Sequence, residues 1–178
     1  IIKELDILKL GLIGSGNWGK NYLKTSNSIR NLKLIDVTKI IKRNFKKKTL
    51  YRTFQNLRKK NFKGFIIATD PKTQFKILKQ ILRLNYPVLL EKPICSNINE
   101  LKQIENLKKI NQIIFVNHYH FFSNIFRKFE KDLDISNINK IFVYDGNLGP
   151  LRYNFQPMLD WAPHSLGIIF RLINDEID

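Results

Sequence analysis

Three short groups of residues have the types and spacing to do chemistry. Gly14-Ser15-Gly16-Asn17-Trp18-Gly19 is a G-x-G-x-x-G segment. In such a segment the first glycine makes a tight turn, the second lets backbone approach a pyrophosphate, and the third allows close helix-to-strand packing. The N–H groups and positive dipole end of a helix opening there would face the phosphates. Glu91-Lys92-Pro93 follows the apolar run Val88-Leu89-Leu90. Strand carboxyl ends in an open α/β sheet form its ligand crevice, so Lys92 is expected to face a bound cofactor or substrate, with Pro93 fixing the backbone. The same triplet also reads as an ordinary strand-to-helix loop. Asp160 and His164 stand four residues apart in Asp160-Trp161-Ala162-Pro163-His164, and a helix would put them on one face. Read structurally, Asp160 serves equally as a helix N-cap and His164 as a half-buried histidine beneath Trp161.

Such residues need a sheet to position them, and the chain alternates apolar runs with helical periodicity as parallel α/β units do. Strands are expected at Ile7 to Ile13, Leu32 to Val37, Gly64 to Thr69, Val88 to Leu90 and Ile113 to Val116. A helix should run from Asn17 to about Ser26. Pro71 suits a helix start, and Phe75, Ile77, Leu78, Ile81 and Leu82 give that helix an apolar face. Asn97 with Glu100 resembles a capping box for the next. Beyond residue 118 the pattern predicts a helix-like stretch, a strand near Ile138 to Asp145, and a helix opening with Asp160, where Pro163 falls among the first free N–H groups. Asp36, 17 residues after Gly19, is the carboxylate available for a ribose. If the second strand runs on through Val37, Thr38 or Lys39 takes the tip, and Lys39, Lys42 or Arg43 would neutralise a 2′-phosphate. NAD and NADP are both admissible.

Composition bounds these readings. The 178 residues are 43% apolar, which suits a folded soluble chain with room for one full domain and the beginning of a second. The single cysteine, Cys95, rules out an intramolecular disulfide and favours a reducing compartment. Lysines interrupt every apolar run before the roughly 18 residues of a membrane span, and the amino end does not read as a signal peptide. A cytoplasmic location is expected. The formal net charge is +16, with eleven Lys/Arg and no acid between Val37 and Thr69. That segment, Lys39 to Lys63, would attract a polyanion, but it reads better as a solvated face, so nucleic acid is not the expected partner.

With Ala68-Thr69-Asp70-Pro71 added, these motifs in this order make the chain resemble the glucose-fructose oxidoreductase/inositol dehydrogenase (Gfo/Idh/MocA) family. The resemblance implies an NAD(P)-dependent dehydrogenase or reductase acting on a sugar, sugar derivative or polyol. It implies dinucleotide contacts from Gly14, Ser15, Gly16, Asn17, Trp18, Gly19, Asp36, Thr69, Pro71, Glu91 and Lys92, and catalytic roles for Lys92, Asp160 and His164. The implied fold is α/β: a Rossmann-type parallel sheet with helices on both faces over residues 1–117, then an incomplete α+β substrate domain over 118–178. Departures from the family pattern include Asp70 in place of a proline, Gln74 near a usual histidine, and Asn117-His118-Tyr119-His120-Phe121-Phe122 where an arginine is common. No catalytic role is read for His118 or His120, and no metal site.

Family members are about twice this length, so the chain reads as a fragment, or as one whose fold a partner completes. Phe121, Phe122, Phe126, Phe129 and Phe142 are expected to lack partners, and a homo-oligomer through the incomplete sheet is one way to cover them. In the expected chemistry His164 exchanges the hydroxyl proton, Asp160 orients it, and Lys92 hydrogen-bonds the reacting oxygen; whether Lys92 or His164 is the final acid/base stays open. The alternatives are a non-catalytic dinucleotide sensor, a catalytically incomplete fragment, and a nucleic-acid binder using the basic segment.

Overall fold

The computed structural model describes residues 7–46, 49–146 and 157–173. Strands β1 (Leu8–Ile13), β2 (Leu32–Asp36), β3 (Gly64–Ile67), β4 (Val88–Glu91) and β5 (Ile114–Asn117) form one sheet in the order β2-β1-β3-β4-β5. β1 runs parallel to β2 and β3, and β3 parallel to β4. The five strands and the helices between them thus make a Rossmann-like parallel α/β fold. All four residues of β3 are buried, as a strand covered by helices on both faces must be. Phe65 of β3 packs edge-on against Phe54 and Tyr86, each at 4.9 Å between ring centroids. Gly11 of β1 makes room for it, since a Cβ there would lie 2.7 Å from the Phe65 ring.

Helices α1 (Asn17–Ser26), α2 (Thr38–Lys46), α3 (Leu50–Lys59), α4 (Pro71–Arg83) and α5 (Ile98–Leu107) connect the strands. α4 starts as its sequence predicts: Asp70 accepts a hydrogen bond from the Thr73 N–H, Pro71 opens the helix, and the five predicted apolar residues are buried. At α5 Asn97 accepts from the Glu100 N–H, but the Glu100 carboxylate accepts from Ser96 N–H rather than from Asn97. The basic segment folds as α2 and α3. Ile41, Phe54 and Leu57 are buried, while Lys39, Lys42, Arg43, Arg52 and Arg58 lie outward, the two faces of amphipathic helices. β2 stops at Asp36, because Val37 and Thr38 already turn into α2. The register with Lys39 at a strand tip is therefore corrected: Lys39 is helical.

The chain divides into two compact units, Ile1–Val116 and Asn117–Asp178. In the second, a single 3-10 turn (Tyr119–Phe122) precedes α6 (Asn124–Asp132), and α7 spans Pro157–Ile173. Arg171 of α7 donates two hydrogen bonds to the Glu130 carboxylate of α6. Two expectations change here. Residues 138–146 form no strand, because a strand persists only with a partner to satisfy its ladder. α7 begins at Pro157, so Asp160 lies in its first turn rather than at the N-cap, and Pro163 sits inside the helix. Of the five phenylalanines, Phe121 packs against Phe126 at 5.3 Å and Phe126 approaches Phe129 at 6.5 Å. Phe122, Phe129 and Phe142 stay exposed.

Candidate functional site

Sheet order β2-β1-β3 makes the carboxyl end between β1 and β3 a topological switch point, where adjoining crossovers leave in opposite directions and open a crevice. A cleft of about 670 Å³ lies there, lined by Gly14, Ser15 and Gly16 after β1, by Thr38, Ile41 and Lys42 of α2, and by Ala68 to Asp70 after β3. The three glycines differ physically. Gly14 has φ +111°, and a Cβ on it would lie 2.2 Å from the Ala68 carbonyl oxygen, so only glycine fits the turn. A Cβ on Gly19 would meet the Gly14 oxygen at 1.8 Å, which locks α1 against the loop. Gly16 has nothing within 4 Å of its Cβ position. Packing among the described residues therefore does not require glycine at this position.

Gly16 is also the N-cap of α1, and no side chain caps that end or places an acid in its first turn. The first N–H groups of α1 thus meet the cleft with the positive end of the helix dipole. The Gly14 N–H is committed, donating to Thr38 Oγ1 at 2.9 Å, and so ties the loop to α2. Asp36 accepts from the Thr38 N–H at 2.8 Å through one carboxylate oxygen. Of the predicted cofactor residues, Gly14, Ser15, Gly16 and Thr69 line the cleft. Asn17 and Trp18 are exposed on the first turn of α1, Gly19 is buried under Gly14, and Pro71 opens α4. Glu91 and Lys92 stand at the end of β4, outside the cleft lining.

Gln74 organises the segment that carries Lys92. It is 1% exposed, and its amide donates to the Glu91 carbonyl at 2.9 Å and to the Pro93 carbonyl at 2.8 Å, bracketing Lys92. Tyr22 of α1 donates to the Glu91 carboxylate at 2.6 Å, and the Lys92–Pro93 peptide is cis. Replacing Gln74 by leucine keeps the volume but strands two acceptors, one of them buried. Leucine also removes the buried Gln74 Oε1, which has no hydrogen-bond partner among the described residues, so we expect a net loss of about 1–3 kcal/mol in urea unfolding, and a gain in stability would show that the two bonds do not hold this segment.

In the second unit Asp160 and His164 share α7. His164 gathers with His118 and His120, its ring centroid 6.4 and 5.2 Å from theirs. Burial, then the neighbouring His118, pulls the His120 pKa below its ordinary value, while Asp145 opposes them. Gly167 lets the 118–121 turn approach α7: a Cβ there would lie 3.1 Å from the Phe121 ring and 3.2 Å from His118 Nδ1. Among the described residues no helix is long and apolar enough to cross a membrane.

Residues 8–118 match the family described as "Oxidoreductase family, NAD-binding Rossmann fold", GFO_IDH_MocA. The chain belongs to the Gfo/Idh/MocA oxidoreductase family. The matched segment is the NAD-binding Rossmann fold of that family. No curated protein matches this Gfo/Idh/MocA chain. Solved structures share its fold. A Magnetospirillum magnetotacticum MS-1 protein, solved as an oxidoreductase candidate, is 24% identical with a TM-score of 0.71 over 96% of this chain and 58% of its own. An apo scyllo-inositol dehydrogenase from Lactobacillus casei is 15% identical, TM-score 0.69, over 97% and 56%. A biliverdin reductase from Synechocystis sp. PCC 6803, solved with biliverdin and NADP+, is 14% identical, TM-score 0.67, over 96% and 60%. The chain thus spans a little over half the length of these proteins.

Within this Gfo/Idh/MocA chain, sequence reasoning missed three participants. Thr38 and Gln74 act through hydrogen bonds to distant backbone, one at Thr38 Oγ1 and two from the Gln74 amide, which no local pattern announces. The convergence of His118 and His120 with His164 was missed too, although the His118-x-His120 spacing was a signal.

Proposed function

We propose that this chain belongs to an NAD(P)-dependent dehydrogenase or reductase that moves a hydride between the nicotinamide cofactor and a hydroxyl or carbonyl carbon of a sugar, sugar derivative or polyol. The observation that carries the reading is the open Cβ position of Gly16 at an uncapped helix N-terminus in the switch-point cleft, where a diphosphate finds N–H donors and no steric obstacle. Lys42 in the cleft lining adds a positive charge. When bound, the nicotinamide ring supplies the hydride acceptor or donor. Residues 1–117 hold it, and residues 118–178 begin the substrate domain. His164 takes the hydroxyl proton during oxidation and returns it during reduction, Asp160 steadies the charged imidazole from one turn away, and Lys92 hydrogen-bonds the reacting oxygen.

Asp36 ends β2 with one carboxylate oxygen held by the Thr38 N–H. The other is available to ribose hydroxyls, and a charge there disfavours a 2′-phosphate, which favours NAD. Asp36→Ala should weaken NADH binding about 10-fold, the loss of one hydrogen bond to a charged group, and narrow the gap to NADPH. Equal effects on both cofactors would remove Asp36 from the ribose site.

The reading is tested by fluorescence titration with NADH and NADPH, followed by a sugar and polyol screen at about 340 nm, the reduced-cofactor band. Saturable binding with substrate-dependent absorbance change supports it. Binding without any turnover across the screen favours a dinucleotide sensor, and no binding rejects both.

A further inference from the structure

We propose that His118, His120 and His164 form a binding site for a divalent first-row transition cation of the zinc class. One nitrogen from each imidazole lies within 4.8 Å of the nitrogens of the other two. Nε2 of His120 is enclosed and has no hydrogen-bond partner among the described residues, a costly state for a buried polar atom that metal coordination would relieve. Zinc–nitrogen bonds of about 2.1 Å in tetrahedral geometry set ligand nitrogens roughly 3.4 Å apart. The most widely separated nitrogens therefore need to close by up to about 1.4 Å, which rotation about the broad imidazole χ2 can supply.

The surroundings suit a metal. Phe121 stacks on His118 with ring centroids 5.3 Å apart and meets His120 at 4.4 Å, and Phe126 lies 6.1 Å from His120. These rings wall the nitrogens from bulk water. Asp145, which accepts a hydrogen bond from Ser165, lies near enough to His120 to favour positive charge there. The donor set decides the cation class. Imidazole nitrogens without carboxylates select zinc, cobalt or nickel over magnesium and calcium, which require oxygen. Three protein donors leave a fourth position for water or a substrate oxygen.

This goes beyond the dinucleotide reading and does not rest on it. A cation on a His164 nitrogen and proton exchange at that same nitrogen exclude each other, so the test reads binding rather than turnover. Metal-free protein is titrated with Co²⁺ by visible absorption and, labelled with ¹⁵N-histidine, with Zn²⁺ by NMR. Expected are one equivalent of Co²⁺ displaced by Zn²⁺, shifts at all three imidazoles, and affinity about 100-fold weaker in His120→Gln and His118→Gln. Absence of stoichiometric binding overturns the proposal, as does equal affinity in both variants. If a variant fails to fold, the NMR shifts of the unaltered protein decide, and unmoved histidine resonances overturn it. NADH titration run in parallel reports on the other site separately.

Discussion

Gly16→Asp is expected to leave folding intact while abolishing dinucleotide binding. Its Cβ position has no neighbour within 4 Å, and its backbone, at φ −73° and ψ −163°, is one that any residue adopts. Aspartate is a preferred N-cap and its charge suits a helix amino end, so stability should hold or rise by a few tenths of a kcal/mol. The same carboxylate would occupy the diphosphate's place with like charge, and NADH affinity should fall at least about 100-fold, roughly 3 kcal/mol. Gly19→Ala supplies the contrast. Its Cβ would stand 1.8 Å from the Gly14 oxygen, so α1 must back away from the loop. That costs about 1–3 kcal/mol and lowers the melting temperature by roughly 5–10 °C. Thermal unfolding and fluorescence titration of the pair separate the two roles. Unchanged NADH affinity in Gly16→Asp would remove the diphosphate from this loop.

The second large effect concerns turnover. Lys92→Met and His164→Ala should each lower kcat by about 10²–10⁴-fold, the usual worth of a positioned proton-transfer group, with NADH affinity changed by less than about 3-fold. Lys92 is held at the carboxyl end of β4 by the Gln74 clamp on both sides, and methionine preserves its length without its charge. A drop in kcat with cofactor affinity intact separates chemistry from binding. Wild-type kcat in both variants would withdraw these residues from the reaction, and loss of NADH binding alone would reassign Lys92 to the cofactor.

Much of the first unit was legible from local signals. Asp70 and Asn97 cap α4 and α5 through bonds spanning three residues, and α1 begins at Asn17 as the glycine spacing requires. Local failures have local causes too. Ile138 to Asp145 carries the apolar run Ile141-Phe142-Val143-Tyr144 and reads as a strand, yet a ladder needs a second chain segment that no pattern within it can supply. The helix carrying His164 starts three residues early, at Pro157, because proline is as welcome at a helix start as Asp160 is in a first turn.

By itself, then, the order of residues determined the parallel α/β succession, the glycine turn and the caps, since each depends on neighbours a few positions away. Only the tertiary structure decided which crossovers meet. Sheet order places β1 between β2 and β3, so Gly14 reaches Thr38 across 24 positions and shares a cleft with Thr69. Gln74 closes on the carbonyls flanking Lys92 only because α4 packs beside β4. His118 and His120 meet His164 only because Gly167 lets α7 accept the turn that bears them. Such contacts follow from packing in three dimensions, and separation along the chain carries no trace of them.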